Sequence, residues 1–147
     1  MLVKECMTKQ VEIGKPSMSL QEAAQKMRDG DFGILPIGEN DRLVGMITDR
    51  DITIRGTAEG KDAQKVQVRE LMSQDVLYCF EDQKLDEVTK NLGDNQVRRL
   101  PVLNRQKRLV GILSLGDLAQ SSANPEKVEE ALSRISKNKN IQSEART

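Results

Sequence analysis

Gly45-Met46-Ile47-Thr48-Asp49-Arg50-Asp51 is matched later in the chain by Gly111-Ile112-Leu113-Ser114-Leu115-Gly116-Asp117. Each stretch carries a glycine, two apolar residues, a hydroxyl and, three residues on, an aspartate. The match extends outward. Leu43-Val44 falls on Leu109-Val110, and after a one-residue slip Leu35-Pro36-Ile37 falls on Leu100-Pro101-Val102. Further upstream, Met27 falls on Leu92, Leu20 on Leu85, Val11 on Val76, and Val3-Lys4-Glu5-Cys6-Met7 on Val68-Arg69-Glu70-Leu71-Met72. A chain of 147 residues is therefore built from two similar copies, and each copy of such a repeat needs its twin to bury its apolar face. Either copy alone is expected not to fold.

Local patterns predict how each copy is made. Ser19-Leu20-Gln21-Glu22 reads as a capping box, and Leu20, Ala23, Ala24 and Met27 form a helical apolar stripe, which predicts a helix over residues 20–28. Two strands follow, over 33–37 and 43–48, joined by the turn residues Glu39-Asn40-Asp41-Arg42. A second helix is expected to start near Asp49 and to end before Gly56. In the second copy Leu85, Val88 and Leu92 hold the helix stripe. Lys84 replaces the cap serine, so Glu81 or Asp82 is expected to serve that helix N-terminus. Strands are predicted over 98–103 and 109–114, then a helix from Asp117. The expected division is a first repeat over 1–60, a second over 61–122, and a C-terminal helix with a flexible tail over 123–147.

Composition narrows the function classes. Twenty-three basic residues balance 23 acidic ones, and the aromatics are Phe32, Tyr78 and Phe80 alone. No global basic field or base-stacking platform favours nucleic acid. No basic-then-apolar leader opens the sequence and no apolar run approaches a membrane span, so a cytoplasmic protein without membrane association is expected. With no His and only Cys6 and Cys79, neither a zinc site nor a redox pair is expected, and no metal is required. Gly14-Lys15-Pro16-Ser17 imitates the end of a phosphate loop but lacks its upstream glycine, and Pro16 removes a needed amide. Without a general base or a nucleophile motif the chain is not expected to be an enzyme.

The chemistry-bearing feature is the end of each second strand. Thr48 with Asp51, and Ser114 with Asp117, place a hydroxyl leaving a strand beside an aspartate in the first helical turn. Such a pair can accept from a ribose diol, as carboxylates do in other nucleotide folds. It can equally be a plain helix cap with the acid complementing the helix dipole. Recurrence behind the same glycine, next to the paired Pro36 and Pro101, favours a site.

The repeat, the apolar-Pro-apolar pair, the Gly-apolar-apolar-hydroxyl-x-x-Asp endings and the strings TDRDI (Thr48 to Ile52) and QVRRLPV (Gln96 to Val102) resemble a tandem pair of CBS domains over roughly residues 1–122. That resemblance implies an α/β fold of two β-α-β-β-α repeats packed about a pseudo-twofold axis, with two clefts that take AMP, ADP, ATP or S-adenosylmethionine. It assigns ribose to Thr48 and Asp51 in one cleft and to Ser114 and Asp117 in the other. Adenine would be lined by Phe32, Gly33 and Ile34, by Val97, Arg98 and Arg99, and by first-strand residues including Thr8, Val11 and Val76. Arg98 or Arg99, with Arg98 favoured, would meet phosphate in the second cleft, and Arg50 and Lys9 are further phosphate candidates. The implied role is a regulatory or sensory module, with a homodimer as its assembly and a regulated protein as its partner. The alternatives are a scaffold protein with empty clefts and, behind it, a nucleic-acid binder.

Overall fold

A computed structural model describes residues 1–95, 98–121 and 125–146, with side chains in the last segment to Ser136. It divides into two compact units, one formed by Glu12–Val76 and the other by Met1–Val11 with Leu77–Thr147. The units do not coincide with the repeats. Each contains the body of one repeat and the opening segment of the other.

In the Glu12–Val76 unit, α1 (Leu20–Gly30) starts where Ser19 Oγ accepts from Glu22 N at 3.1 Å, one of the two expected capping-box bonds. It ends at Asp31, whose φ of 53° closes the helix in the left-handed region. Strands β1 (Ile34–Glu39) and β2 (Arg42–Thr48) then pair antiparallel. Their tight turn places Asn40 and Asp41 at φ 53° and 62°, the pair of positive angles that matches the twist of a hairpin. Beyond β2, α2 (Asp49–Asp51) widens into a π-helical turn over Ile52–Thr57 instead of ending before Gly56. Packing accounts for this. Gly56 is buried, a Cβ there would lie 3.2 Å from Leu20 and 3.5 Å from Leu71, and Arg55 Nη1 donates to the Leu71 carbonyl at 2.8 Å.

The other unit follows the same plan. Strand β3 (Cys79–Phe80) runs parallel to β4 (Arg99–Leu103), which pairs antiparallel with β5 (Leu109–Ser114). Helix α3 (Leu85–Asn95) lies between β3 and β4 in sequence, and α4 (Leu115–Gln120) follows β5. The one-residue slip between the repeats falls in the β4–β5 turn, where Asn104 Oδ1 accepts from Gln106 N and Arg108 N, both at 3.0 Å. Of the two acids expected at the α3 N-terminus, Asp82 is engaged by a side chain from another element. Leu85 N donates to the Met1 carbonyl at 2.9 Å, while Asp82 is forked by Arg105, whose guanidinium also sits over the Phe80 ring.

Two equivalent clasps complete the units. Val3 and Val68, both fully buried, each open a 3-10 turn whose glutamate reaches back: Glu5 to Leu2 N and Glu70 to Gln67 N, both at 2.8 Å. The next residues reach the last strand of the unit, with Thr8 pairing Ile112 and Ser73 pairing Met46. Glycine is required opposite each clasp. A Cβ on Gly111 would stand 2.8 Å from the Thr8 carbonyl, and one on Gly45 would stand 2.9 Å from that of Ser73. Thr8 and Ser73 thus make bridges where first strands were expected. The first-strand position is held instead by Gly14, bridged in parallel to Ile37, and by β3.

Each unit has its own core. Leu20, Ala23, Met27, Leu35, Ile37 and Ile47 pack with Val68 and Leu71 in one, and Leu85, Val88, Leu92, Leu100, Val102, Leu113 and Leu118 pack with Val3 and Cys79 in the other. The second unit adds α5 (Pro125–Arg146), which lies on α3 and is helical where a flexible tail was expected to follow. Gly93 permits its approach, since a Cβ there would be 2.9 Å from Ala131 Cα. Lys127 pairs with Asp86 at 3.4 Å, and Arg134 pairs with Asp94 and Glu130. One face of α3 is therefore covered by α5.

Candidate functional site

The two strand-to-helix junctions are nearly superimposable in their bonding. Thr48 Oγ1 accepts from Asp51 N at 3.0 Å, and Asp51 Oδ2 accepts from Thr48 N at 2.9 Å. Ser114 Oγ accepts from Asp117 N at 3.1 Å, and Asp117 Oδ2 accepts from Ser114 N at 3.0 Å. These reciprocal bonds satisfy amides that the start of a helix leaves open. The aspartates are capped into place without being used up. A carboxylate offers about four acceptor positions, and each keeps its second oxygen off the backbone.

Residues that precede the apolar-Pro pair come to the same junctions. Ile34 lies opposite Thr48 across the hairpin, and Arg99 lies opposite Ser114. The Gly33 carbonyl accepts from Asp49 N at 2.9 Å, and the Arg98 carbonyl accepts from Leu115 N at 3.0 Å. Arg98 and Arg99 are both exposed, and neither is paired with an acid among the described residues. Arg50 is exposed beside Asp51, and Phe32 packs partly against the core of its unit. Val97 lies outside the described residues.

The opening segment brings in one more side chain. Thr8 Oγ1 lies 3.4 Å and 3.5 Å from the two carboxylate oxygens of Asp117, and Cys6 Sγ donates to the Asp117 carbonyl at 3.3 Å. Thr8, Val11, Arg98, Arg99, Ser114 and Asp117 thus share one unit, while Phe32, Gly33, Ile34, Thr48, Arg50, Asp51 and Val76 share the other. Burial raises the Cys6 thiol above its ordinary value, with Ser121 opposing and the Asp117 charge adding to the rise. Cys79 is buried more completely and is pushed up to about 12.

Asp49 is a site neighbour that the motif did not single out. Its Oδ2 stands 2.9 Å from where a Cβ on Gly33 would be, so the carboxylate covers the bare backbone there. Its repeat partner is Leu115, and that one-column contrast between the copies was the available signal.

The duplicated strand-to-helix junction on an α/β framework defines a tandem regulatory module. The chain belongs to the CBS domain family, whose pattern it matches over residues 3–55 and 68–124. CBS domain-containing protein YhcV of Bacillus subtilis is 40% identical over 134 residues, covering 91% of this chain and 94% of the relative. Hypoxic response protein 1 of Mycobacterium tuberculosis is 43% identical over 103 residues, 69% of this chain and 71% of its own. A crystal structure of hypoxic response protein I with two coordinated zinc ions superposes with a TM-score of 0.72 at 38% identity, covering 82% of this chain and 98% of that one. A CBS domain pair in complex with 5′-methylthioadenosine and S-adenosyl-L-methionine also superposes with a TM-score of 0.72, at 28% identity over 82% of this chain and 98% of the other. CBS pairs are regulatory modules, and some of them hold adenosine ligands. Among the described residues no helix is long and apolar enough to cross a membrane.

Proposed function

We propose that this chain is a non-catalytic regulatory module that binds an adenosine compound at the Ser114/Asp117 junction and, separately, at the Thr48/Asp51 junction. The observation that carries this reading is the duplication of one bonding pattern at both junctions, each leaving a carboxylate oxygen for a ribose diol. Arg98 and Arg99, exposed and without an acid partner among the described residues, bring positive charge to the segment that meets this junction, and a charge-assisted bond to phosphate is stronger than a neutral one. The adenosine ligands of a related CBS pair support the same class of compound.

Signalling follows from differential affinity. A ligand that binds one conformation better shifts the population toward it, and a partner protein reads the shift. A homodimer completes the proposal, with the exposed face of α1 as the surface a second copy would cover. Light scattering at micromolar concentration is expected to give twice the chain mass.

Zinc is given no part in this reading. The sequence has no His, and among the described residues no three Cys, Asp or Glu side chains gather as a metal site would need. Equilibrium dialysis showing stoichiometric zinc uptake would overturn that choice. Titration calorimetry with AMP, ATP and S-adenosylmethionine tests the ligand class: saturable binding of at least one is expected, and binding of none leaves the junctions as helix caps.

A further inference from the structure

We infer that the two junctions sort adenosine compounds by charge, the Asp117 junction taking a phosphorylated nucleotide and the Asp51 junction an uncharged or cationic adenosine. This rests on the adenosine reading above and assigns a ligand class to each site.

Two segments form each junction and a third is bridged to the strand that enters it, and in all three the charge differs between the repeats. Before the apolar-Pro pair, Arg98 and Arg99 stand where the other copy has Gly33 and Ile34. At the helix start, Leu115 and Gly116 stand where the other has Asp49 and Arg50. Just beyond the bridging clasp residues Thr8 and Ser73, Lys9 and Gln10 stand where the other has Gln74 and Asp75. With the shared aspartates included, Lys9, Arg98 and Arg99 against Asp117 leave two positive charges. Asp49, Asp51 and Asp75 against Arg50 leave two negative charges. All six charged residues outside the aspartate pair are exposed.

The contrast is local, because the whole chain carries a formal net charge of zero. It is also built into backbone geometry. Gly33 and Arg98 occupy the same place, each carbonyl accepting from the first amide of the following helix. In one unit the space over that residue is taken by the Asp49 carboxylate, 2.9 Å from the missing Cβ; in the other the residue itself is a cation. A phosphate brought to the Asp49 junction meets like charge where the other junction offers two arginines. Opposite and like charges at contact distance change affinity strongly in a partly desolvated site.

Adenosine and AMP, which differ by the phosphate alone, are the probes. Calorimetric titration of Asp51→Ala reads the Asp117 junction, and titration of Asp117→Ala reads the Asp51 junction. AMP is expected to bind the first variant at least about tenfold more tightly than adenosine, and the order is expected to reverse in the second. Asp→Asn versions, which keep an acceptor for the cap amide, replace either variant if it unfolds. A charge exchange provides the independent arm. Gly33→Arg with Asp49→Leu copies the arrangement of Arg98 and Leu115, and in the Asp117→Ala background it should make AMP the preferred ligand.

AMP preferred at both junctions, or an exchange that leaves the preference unchanged, overturns the sorting while the adenosine reading stands. Failure of AMP and adenosine to bind any variant also overturns the sorting, and the adenosine reading falls with it only where ATP and S-adenosylmethionine fail on the unaltered chain as well.

Discussion

Asp117 has one job in the fold and a second one proposed for it, and measurement can separate them. Its carboxylate accepts from Ser114 N at 3.0 Å and faces Thr8 Oγ1 at 3.4 Å, so Asp117→Ala removes a capping acceptor as well as the proposed ribose acceptor. Loss of the cap should lower stability by about 1 kcal/mol, seen as a fall in the urea midpoint. Loss of the acceptor should weaken AMP binding by about 1–3 kcal/mol, seen by calorimetry. Asp51→Ala should match the first effect and show much less of the second. Cys79 gives a pH prediction. Its thiol is pushed from 9.0 to about 12 by burial, so the folded state holds that proton more tightly than the unfolded chain. The stabilisation is complete below pH 9 and is lost as pH rises from there toward 12. Melting temperature should fall across that window less steeply in Cys79→Ala, whose lower starting stability is the control. The Thr/Ser–Asp pairs were legible in the sequence because a reciprocal cap demands a fixed three-residue spacing. Asp49 over Gly33 was not, because that approach depends on how the strand hands over to the helix.

Elements were legible where a local device sets them. Ser19 starts α1, and Asn40-Asp41 turns the β1–β2 hairpin, both by conformational preferences carried in a few residues. The π-helical turn after α2 has no such local code. It widens because Gly56 lies against Leu20 and Leu71 and Arg55 is tied to the Leu71 carbonyl, and these partners come from both sides along the chain. The glycines in β2 and β5 likewise serve distant segments. A Cβ on Gly111 would stand 2.7 Å from Met7 Sδ and 2.8 Å from the Thr8 carbonyl, and the backbone atom has nowhere inexpensive to go. Gly111→Ala should therefore destabilise the protein by about 1–3 kcal/mol through overpacking. Urea unfolding is the check, and a change within 0.5 kcal/mol would mean that the opening segment shifts freely.

At the scale of the molecule, the repeat and the compact unit turn out to be different objects. The sequence register shows the repeat beginning at Val3 and again at Val68. Packing instead assigns Val68 and Leu71 to the core of the preceding body, and Val3 to the core of the following one. A fragment of residues 1–65 lacks both Val68 and Leu71, and its own Val3 has lost the partners it packs with. It should give collapsed, poorly dispersed amide resonances. A fragment of residues 12–76 carries a full set of elements and clasp and should be measurably more ordered by the same spectra. Equal order in the two fragments would show that the clasp contributes little. Register could not reveal this exchange, because a repeat of sequence fixes what recurs and not which copy closes around it.

The crossed clasps impose an order of events on a chain made from its N-terminus. Val3 to Thr8 are synthesised well before their partners Glu81, Gln83 and Ile112. The Glu12–Val76 body has the backbone partners of its clasp as soon as Ser73 has emerged, since the clasp follows its strands along the chain. The opening segment must wait for most of the second body, and closing that wide loop is the slow, entropically costly step in such a topology. Pulse-labelled hydrogen exchange should accordingly find Met46 and Ser73 protected before Thr8 and Ile112. The start of the chain is then the last part to find its place.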